Sequence, residues 1–402
     1  MAHSTAMAEQ QEWAAADDGL SEPGVSTFEL FFDLVFVFAF TRITGSIAAH
    51  ATWQGLGRGV LIFATLWWAW GSYAWLTNSM RTDDGPSRVV LLAAMAGMLV
   101  VALAVPEAFD ESAMAYALGY LVVIVLHSIL FTLAADSPTD AARGIRRLAP
   151  TNLGSALLLV AAALADVDGP TRTALWIIAV SITFAGPFLT GVADFTVRPA
   201  HFAERHGLIV IIALGESIVA IGAADTYDID WSLAASALVA IALVSGLWWA
   251  YFDTEATAAE HALREARGVD RSRLARDVYS YLHIPLVLGV VLAAVGIKKT
   301  LQHSDEELTT VAAVALGGGV ALFFAALAGI RVRRGARPGT TRLAAAALAA
   351  AAIPLATAVP AIVALTGLAA IAGLVTLTDR DPSTAADERD ESDQPPPQRR
   401  GA

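Results

Sequence analysis

Apolar blocks, each about as long as a bilayer is thick, recur along this chain with few charges inside them. No other feature limits its fold so severely. A helix needs roughly 20 apolar residues to cross hydrocarbon, where no water can satisfy the backbone. Twelve segments meet that requirement: 29–49, 55–77, 87–106, 113–134, 148–166, 172–192, 205–223, 231–252, 278–296, 308–330, 341–357 and 359–378. The last two are nearly continuous and also fit one broken or re-entrant element around Pro354 and Pro360. Only 16% of the 402 residues are charged, against about a quarter in soluble domains. A transmembrane β-barrel would show alternating segments of about ten residues, which are absent. The expected class is an all-α polytopic membrane protein with about twelve transmembrane helices.

The absence of cysteine excludes disulfides, thiolate metal sites and cysteine nucleophiles. Much of the acid behind the net charge of −12 sits in two tails. Residues 1–27 carry Glu9, Glu12, Asp17, Asp18 and Glu22 but no Lys or Arg, so they lack the basic start of a signal peptide. They read as a disordered acidic cytosolic tail, and residues 379–402 read the same way. Placing the N-terminus in the cytosol puts 21 of the 26 basic residues in inward connections or the C-terminal tail. Arg58, Arg172, Lys298 and Lys299 fall outside, and Arg42 lies within a span. The expected location is the inner membrane, with both termini cytosolic.

The two halves echo each other. LWWAW at 66–70 is matched by LWWAY at 247–251, and each follows an outer tryptophan, Trp53 and Trp231. ALGYLVV at 117–123 resembles ALGGGVA at 315–321, and AGPFLT at 185–190 resembles AGLVTL at 372–377. Tryptophan also marks membrane interfaces as an aromatic belt, which is the alternative source of the paired Trp residues. The shared order predicts two parallel six-helix repeats, 28–197 and 198–378, related by an axis along the membrane normal. The first and seventh helices would then face each other near that axis.

Charges inside spans are costly, and they normally face the protein interior and find partners. Glu29 opens the first helix and Glu204 the seventh; carried along, this alignment sets Thr41 opposite Glu216 and Arg42 opposite Ser217. Arg42 and Glu216 reach similar depth, so an ion pair across the pseudo-twofold axis is expected, either as a packing staple or as a gate. Nearer the cytosolic face lie Glu29, Asp33, Asp194, Glu204 and Asp253. Glu29 and Asp33 are four apart and share a helix face. If these acids converge, they could bind cations or relay protons. Solvation or capping at helix ends explains Glu204 and Asp253 well but Asp33 poorly, because Asp33 sits among Phe31, Phe32, Leu34, Val35 and Phe36. The sequence offers Asp33 no partner.

His127 and His283 lie within spans and are expected to be buried and neutral, each donating one hydrogen bond. HFAERH at 201–206 does not have the HExxH zinc spacing. Gly317–Gly318–Gly319 and the pair Gly55/Gly59 suit close helix packing. GxGxxG and Walker loops are absent, and the arginines are accounted for by topology. No metal, cofactor or nucleic-acid site is expected.

EPGVSTFELFFDLVFVFAFTRIT near the start, with ERHGLIVIIALGESIVAIG at 204–222, resembles the bacterial low temperature requirement protein A family over about residues 22–380. The resemblance implies a multipass membrane protein and marks Glu29, Phe32, Asp33, Arg42, Glu204, Arg205, Gly215, Glu216 and Ser217 as its motif residues. A weaker likeness is to potassium channels of two six-helix repeats with an FSD motif in the first helix. Here Phe31, Phe32 and Asp33 would correspond, with Phe in place of Ser.

Three functions are open. A secondary transporter or ion pathway would centre on the first and seventh helices, with Glu29, Asp33, Arg42, Asp194, Glu204, Glu216 and Ser217 along it, and with membrane lipid and an unidentified small solute or ion as partners. A structural or sensing protein of cold adaptation would keep a dry interior with sealed charges. An intramembrane enzyme would need a nucleophile, metal or acid–base pair open to the bilayer; no such cluster is evident, and the chain is not expected to be an enzyme.

Overall fold

The computed structural model of the chain describes residues 24–79, 85–133, 140–165, 167–193, 195–222 and 231–378. Among them, the regular structure is helical, apart from one isolated antiparallel bridge between Glu307 and Pro360. In order, the helices are α1 Thr27–Ala49, α2 Trp53–Ser79, α3 Gly85–Glu107, α4 Ala113–Leu133, α5 Asp140–Leu164 and α6 Gly169–Thr190. They continue with α7 Pro199–Gly222, α8 Trp231–Glu265, α9 Gly268–Gln302, α10 Thr310–Arg333, α11 Thr340–Ala356 and α12 Ala361–Thr378. Ten of these, all but α2 and α11, are long and apolar enough to cross a membrane. α2 has the length, 27 residues, but its five tryptophans, Arg58 and Asn78 make it less apolar. α11 has only 17 residues. Large apolar side chains remain exposed, Leu189 at 77% and Trp231 at 91% among them, the kind of surface that lipid covers.

Several helices begin or end away from their apolar cores. α7 starts at Pro199, since proline is preorganised for the first helical position. α8 and α9 each run 35 residues, so the stretch expected to connect them is itself mostly helical. ATAAEHALRE is rich in Ala and Glu, which favour helix with or without lipid around them. The reversal is left to Ala266 and Arg267, with Gly268 opening α9 at a φ of +53°, a conformation that glycine adopts without steric cost. The α11/α12 region is two helices rather than one. Its break is strapped by Ala361 N–H donating to Glu306 O (2.8 Å) and Ile362 N–H to Ser304 O (3.1 Å). Three π-helical segments interrupt the regular hydrogen bonding, at Tyr251–Glu255 in α8, Arg276–Leu282 in α9 and Val314–Gly318 in α10.

The chain forms two compact units. The first takes in residues up to Ala39, Ala64–Ile209 and Leu263–Tyr279; the second takes in Phe40–Phe63, Val210–Ala262 and everything from Ser280. In the first unit α3, α4, α5 and α6 pack successively against one another. Asp168 caps α6 by accepting from Thr171 N–H at 2.9 Å, and hydrogen bonding from the Thr171 side chain, then from its backbone, holds the carboxyl below the usual range. In the second unit α9 and α10 pack closely, and α8 lies against α12. The His283–Gln302 stretch of α9 is apolar nearly all round and correspondingly buried.

Glycine lets α9 and α10 approach backbone to backbone, Gly289 against Gly319. A Cβ on Gly289 would stand 2.6 Å from Gly319 O and 2.9 Å from Phe323 N, while one on Gly318 would come no closer than 3.7 Å to a Val314 methyl. Gly289→Ala is therefore expected to destabilise the protein by about 1–3 kcal/mol, because rigid backbone is the obstacle. Gly318→Ala should leave it nearly unchanged. Equilibrium unfolding in mixed micelles compares the two.

Candidate functional site

The first turn of α1 is built by STFE at 26–29. Ser26 Oγ accepts from Glu29 N–H (3.2 Å), while Glu29 Oε2 accepts from Ser26 N–H (2.9 Å) and Oγ–H (3.0 Å). This is a reciprocal capping box, which ties the Glu29 carboxylate to the helix start. Asp33 follows one turn later on the same face. On α7, His201 and Arg205 are likewise one turn apart. The two pairs meet: His201 Nε2 lies 3.1 Å from Glu29 Oε1, Arg205 Nη1 3.4 Å from Glu29 Oε1, and Arg205 Nη2 2.9 Å from Asp33 Oδ1. The contacts advance together along both helices, so α1 and α7 run in the same direction here.

α2 completes the cluster. Trp70 Nε1–H donates to Asp33 Oδ1 at 3.1 Å, and the Arg205 guanidinium carbon is 6.0 Å from the Trp70 ring centroid. Asn78 Nδ2 lies 3.2 Å from His201 Nδ1 and donates to Arg198 O at 3.0 Å, while Asn78 Oδ1 accepts from Arg198 N–H at 3.0 Å. Glu29 is 6% exposed, and Asp33 and Arg205 are each 1% exposed. Rings wall the cluster: Phe32 packs on Tyr73 with centroids 5.0 Å apart, and His206 meets Trp70 edge-on at 4.9 Å. All these residues belong to the first unit. Two carboxylates, a guanidinium and an imidazole are thus buried together, an arrangement able to hold a cation or move a proton.

The other candidate residues lie elsewhere. Glu204 is exposed at the start of α7 and accepts from Val25 N–H at 2.9 Å, as a helix-end acid would. Asp253 is exposed as well. Asp194 lies outside the described residues. In the second unit Glu216 is buried and its Oε2 accepts from Thr41 Oγ1 at 2.6 Å, one residue before the expected Arg42. Ser217 is buried beside it in sequence, and Arg42 is half-buried. His127 Nε2 lies 3.0 Å from Ser72 O, the single donation expected of a buried neutral imidazole, and His283 Nε2 lies 2.9 Å from Tyr251 Oη.

A second buried charge cluster had no counterpart in the sequence reading. Glu255, in the π segment of α8, pairs with Arg342 of α11 through Oε2 and with Arg334 through Oε1 at 3.0 Å. Arg342 also donates to Thr254 Oγ1 at 2.9 Å. In the sequence both arginines serve only as topology signals. His201 and Arg205 were missed as partners of the α1 acids, although one legible signal existed: cations spaced i,i+4 on one helix complement acids spaced i,i+4 on another. Among the described residues, no group of three or more His, Asp or Glu is placed to hold a metal ion.

Comparison with known proteins agrees with the helical, apolar architecture. A family model described as bacterial low temperature requirement A protein matches residues 24–377. A protein of Rhizobium meliloti (strain 1021), itself described as uncharacterized, is 30% identical over 337 residues, which cover 79% of this chain and 80% of the relative. No solved structure matches significantly. Glu29, Asp33, His201 and Arg205 all fall inside the matched span, and the chain is a multi-pass membrane protein of the bacterial low temperature requirement A family.

Proposed function

We propose that this protein carries a small solute or ion across the inner membrane along a pathway centred on α1 and α7. In this reading all twelve helices cross the membrane, as two parallel six-helix repeats, 28–197 and 198–378, with both termini in the cytosol. Glu29, Asp33, Arg42, Glu204, Glu216, Ser217 and Asp194 belong to the pathway, with Arg205 and His201 added from α7. No catalytic step is involved. One observation carries the proposal: Asp33 and Arg205, each 1% exposed, meet at 2.9 Å between two helices apolar enough to cross a membrane. Ionisable groups at such positions are expensive, and they commonly mark substrate or ion paths.

Flux in proteoliposomes tests this with K⁺, Na⁺, H⁺ and small organic solutes. Wild type should move at least one of them, with Asp33→Asn and Glu216→Gln reducing the rate at least tenfold. A second reading draws on the same contacts: charges so well paired would also suit a sealed structural or sensing protein with a role in the cold, as the family name has it. Absence of flux for every solute would favour that reading.

A further inference from the structure

The charge on the α1/α7 cluster can be counted from its hydrogen bonds. A backbone N–H can only donate, so the Asn78 atom facing Arg198 N–H at 3.0 Å is the carbonyl oxygen. The Asn78 atom toward His201 is then the amide nitrogen, which also donates to Arg198 O. His201 Nδ1 must therefore accept from it at 3.2 Å and carries no proton. The single imidazole proton is on Nε2, directed at Glu29. His201 is neutral.

Glu29 faces only donors: Ser26 N–H and Oγ–H, His201 Nε2–H and Arg205. It is the anion that the Arg205 cation balances. Asp33 would then be a second, surplus negative charge. Its Oδ1 accepts from both Trp70 Nε1–H and Arg205 Nη2–H, but its Oδ2 is buried with no hydrogen-bond partner; Glu29 Oε1 also lacks a hydrogen bond, yet it lies against His201 Nε2 at 3.1 Å and Arg205 Nη1 at 3.4 Å. Tyr73 and His206 are the remaining titratable neighbours. Tyr73 donates its hydroxyl to Val123 O at 2.9 Å. His206 directs Nδ1–H to Phe202 O at 2.8 Å and packs against the rings of Trp70 and Tyr279. A buried carboxylate with one oxygen unsatisfied in an already balanced cluster is strongly disfavoured. A carboxylic acid suits the same geometry, with a carbonyl oxygen accepting two N–H groups and a protonated second oxygen.

We propose that Asp33 holds an exchangeable proton on Oδ2 and is the proton-binding site of this protein, so that the ion moved or coupled is H⁺. The identification of the ion rests on the transport reading; the protonated acid does not. Infrared spectra of the full chain in lipid, with ¹³C-labelled aspartate, test it directly. The expected result is a carboxylic C=O band that shifts in D₂O, disappears in Asp33→Asn and returns, displaced, in Asp33→Glu. Because asparagine mimics the protonated side chain, Asp33→Asn should fold as wild type does. Superimposable wild-type and Asp33→Asn spectra would overturn the proposal, as would an Asp33→Asn protein that fails to fold while Asp33→Glu folds. The band without flux of any solute would keep the proton site and overturn only transport. Solute flux indifferent to a pH gradient, with no band, would overturn the proton alone.

Discussion

Arg205→Ala is expected to destabilise the protein by about 3–5 kcal/mol, the cost of breaking a buried ion pair from one side. Arg205 is buried between Glu29, at 3.4 Å, and Asp33, at 2.9 Å. Removing it strips the cation from Glu29 and one of the two N–H donors from Asp33. His201 cannot replace it, because its one proton is already directed at Glu29. Arg205→Lys should recover only part of the loss, since an ammonium cannot span both carboxyl groups as the planar guanidinium does. Equilibrium unfolding in mixed micelles measures these changes, and a double-mutant cycle with Glu29→Gln isolates the pair. Additive effects of Arg205→Ala and Glu29→Gln would show that the two side chains are not coupled.

Glu255→Gln should have an effect of similar size, about 3–5 kcal/mol, and for the mirror-image reason. Here Glu255, 0% exposed, faces two arginines, and its loss removes the carboxylate that pairs with the buried Arg342. The two arginines are not equivalent. Arg342 is as buried as the acid and is also fixed by Thr254, whereas the Arg334 side chain is 13% exposed. Arg334→Ala should therefore cost about 1 kcal/mol or less, closer to a surface pair, and Arg342→Ala several times more. Unfolding of the three variants under one set of conditions provides the comparison. Equal costs for Arg334→Ala and Arg342→Ala would contradict this account.

Much of the helical layout was legible from one end of the chain to the other. α1, α4, α6, α10 and α12 fall where hydrophobicity predicts, because a chain with no water to bond its backbone has few other options. The least predictable boundaries lie where helix continues past the apolar core. At the end of α8, the polar run Ala256–Glu265 is helical by its own propensity. Glu29 was read as an acid at a helix start, and its capping box with Ser26 bears this out. Its burial against His201 and Arg205 was not visible, because a helix start carries no information about which neighbour covers it.

The sequence by itself determined that the protein is a bundle of apolar helices, which segments supply them, that α1 and α7 carry the motif residues, and which family it belongs to. These follow from composition and local order. Which charge meets which was decided only by the tertiary structure. Successive residues on a helix point about 100° apart, so a small rotation of one helix against another changes every partner. That is why the Glu216 carboxylate meets the Thr41 hydroxyl. It is also why Asp33, which had no partner in the sequence, lies against Arg205 and Trp70.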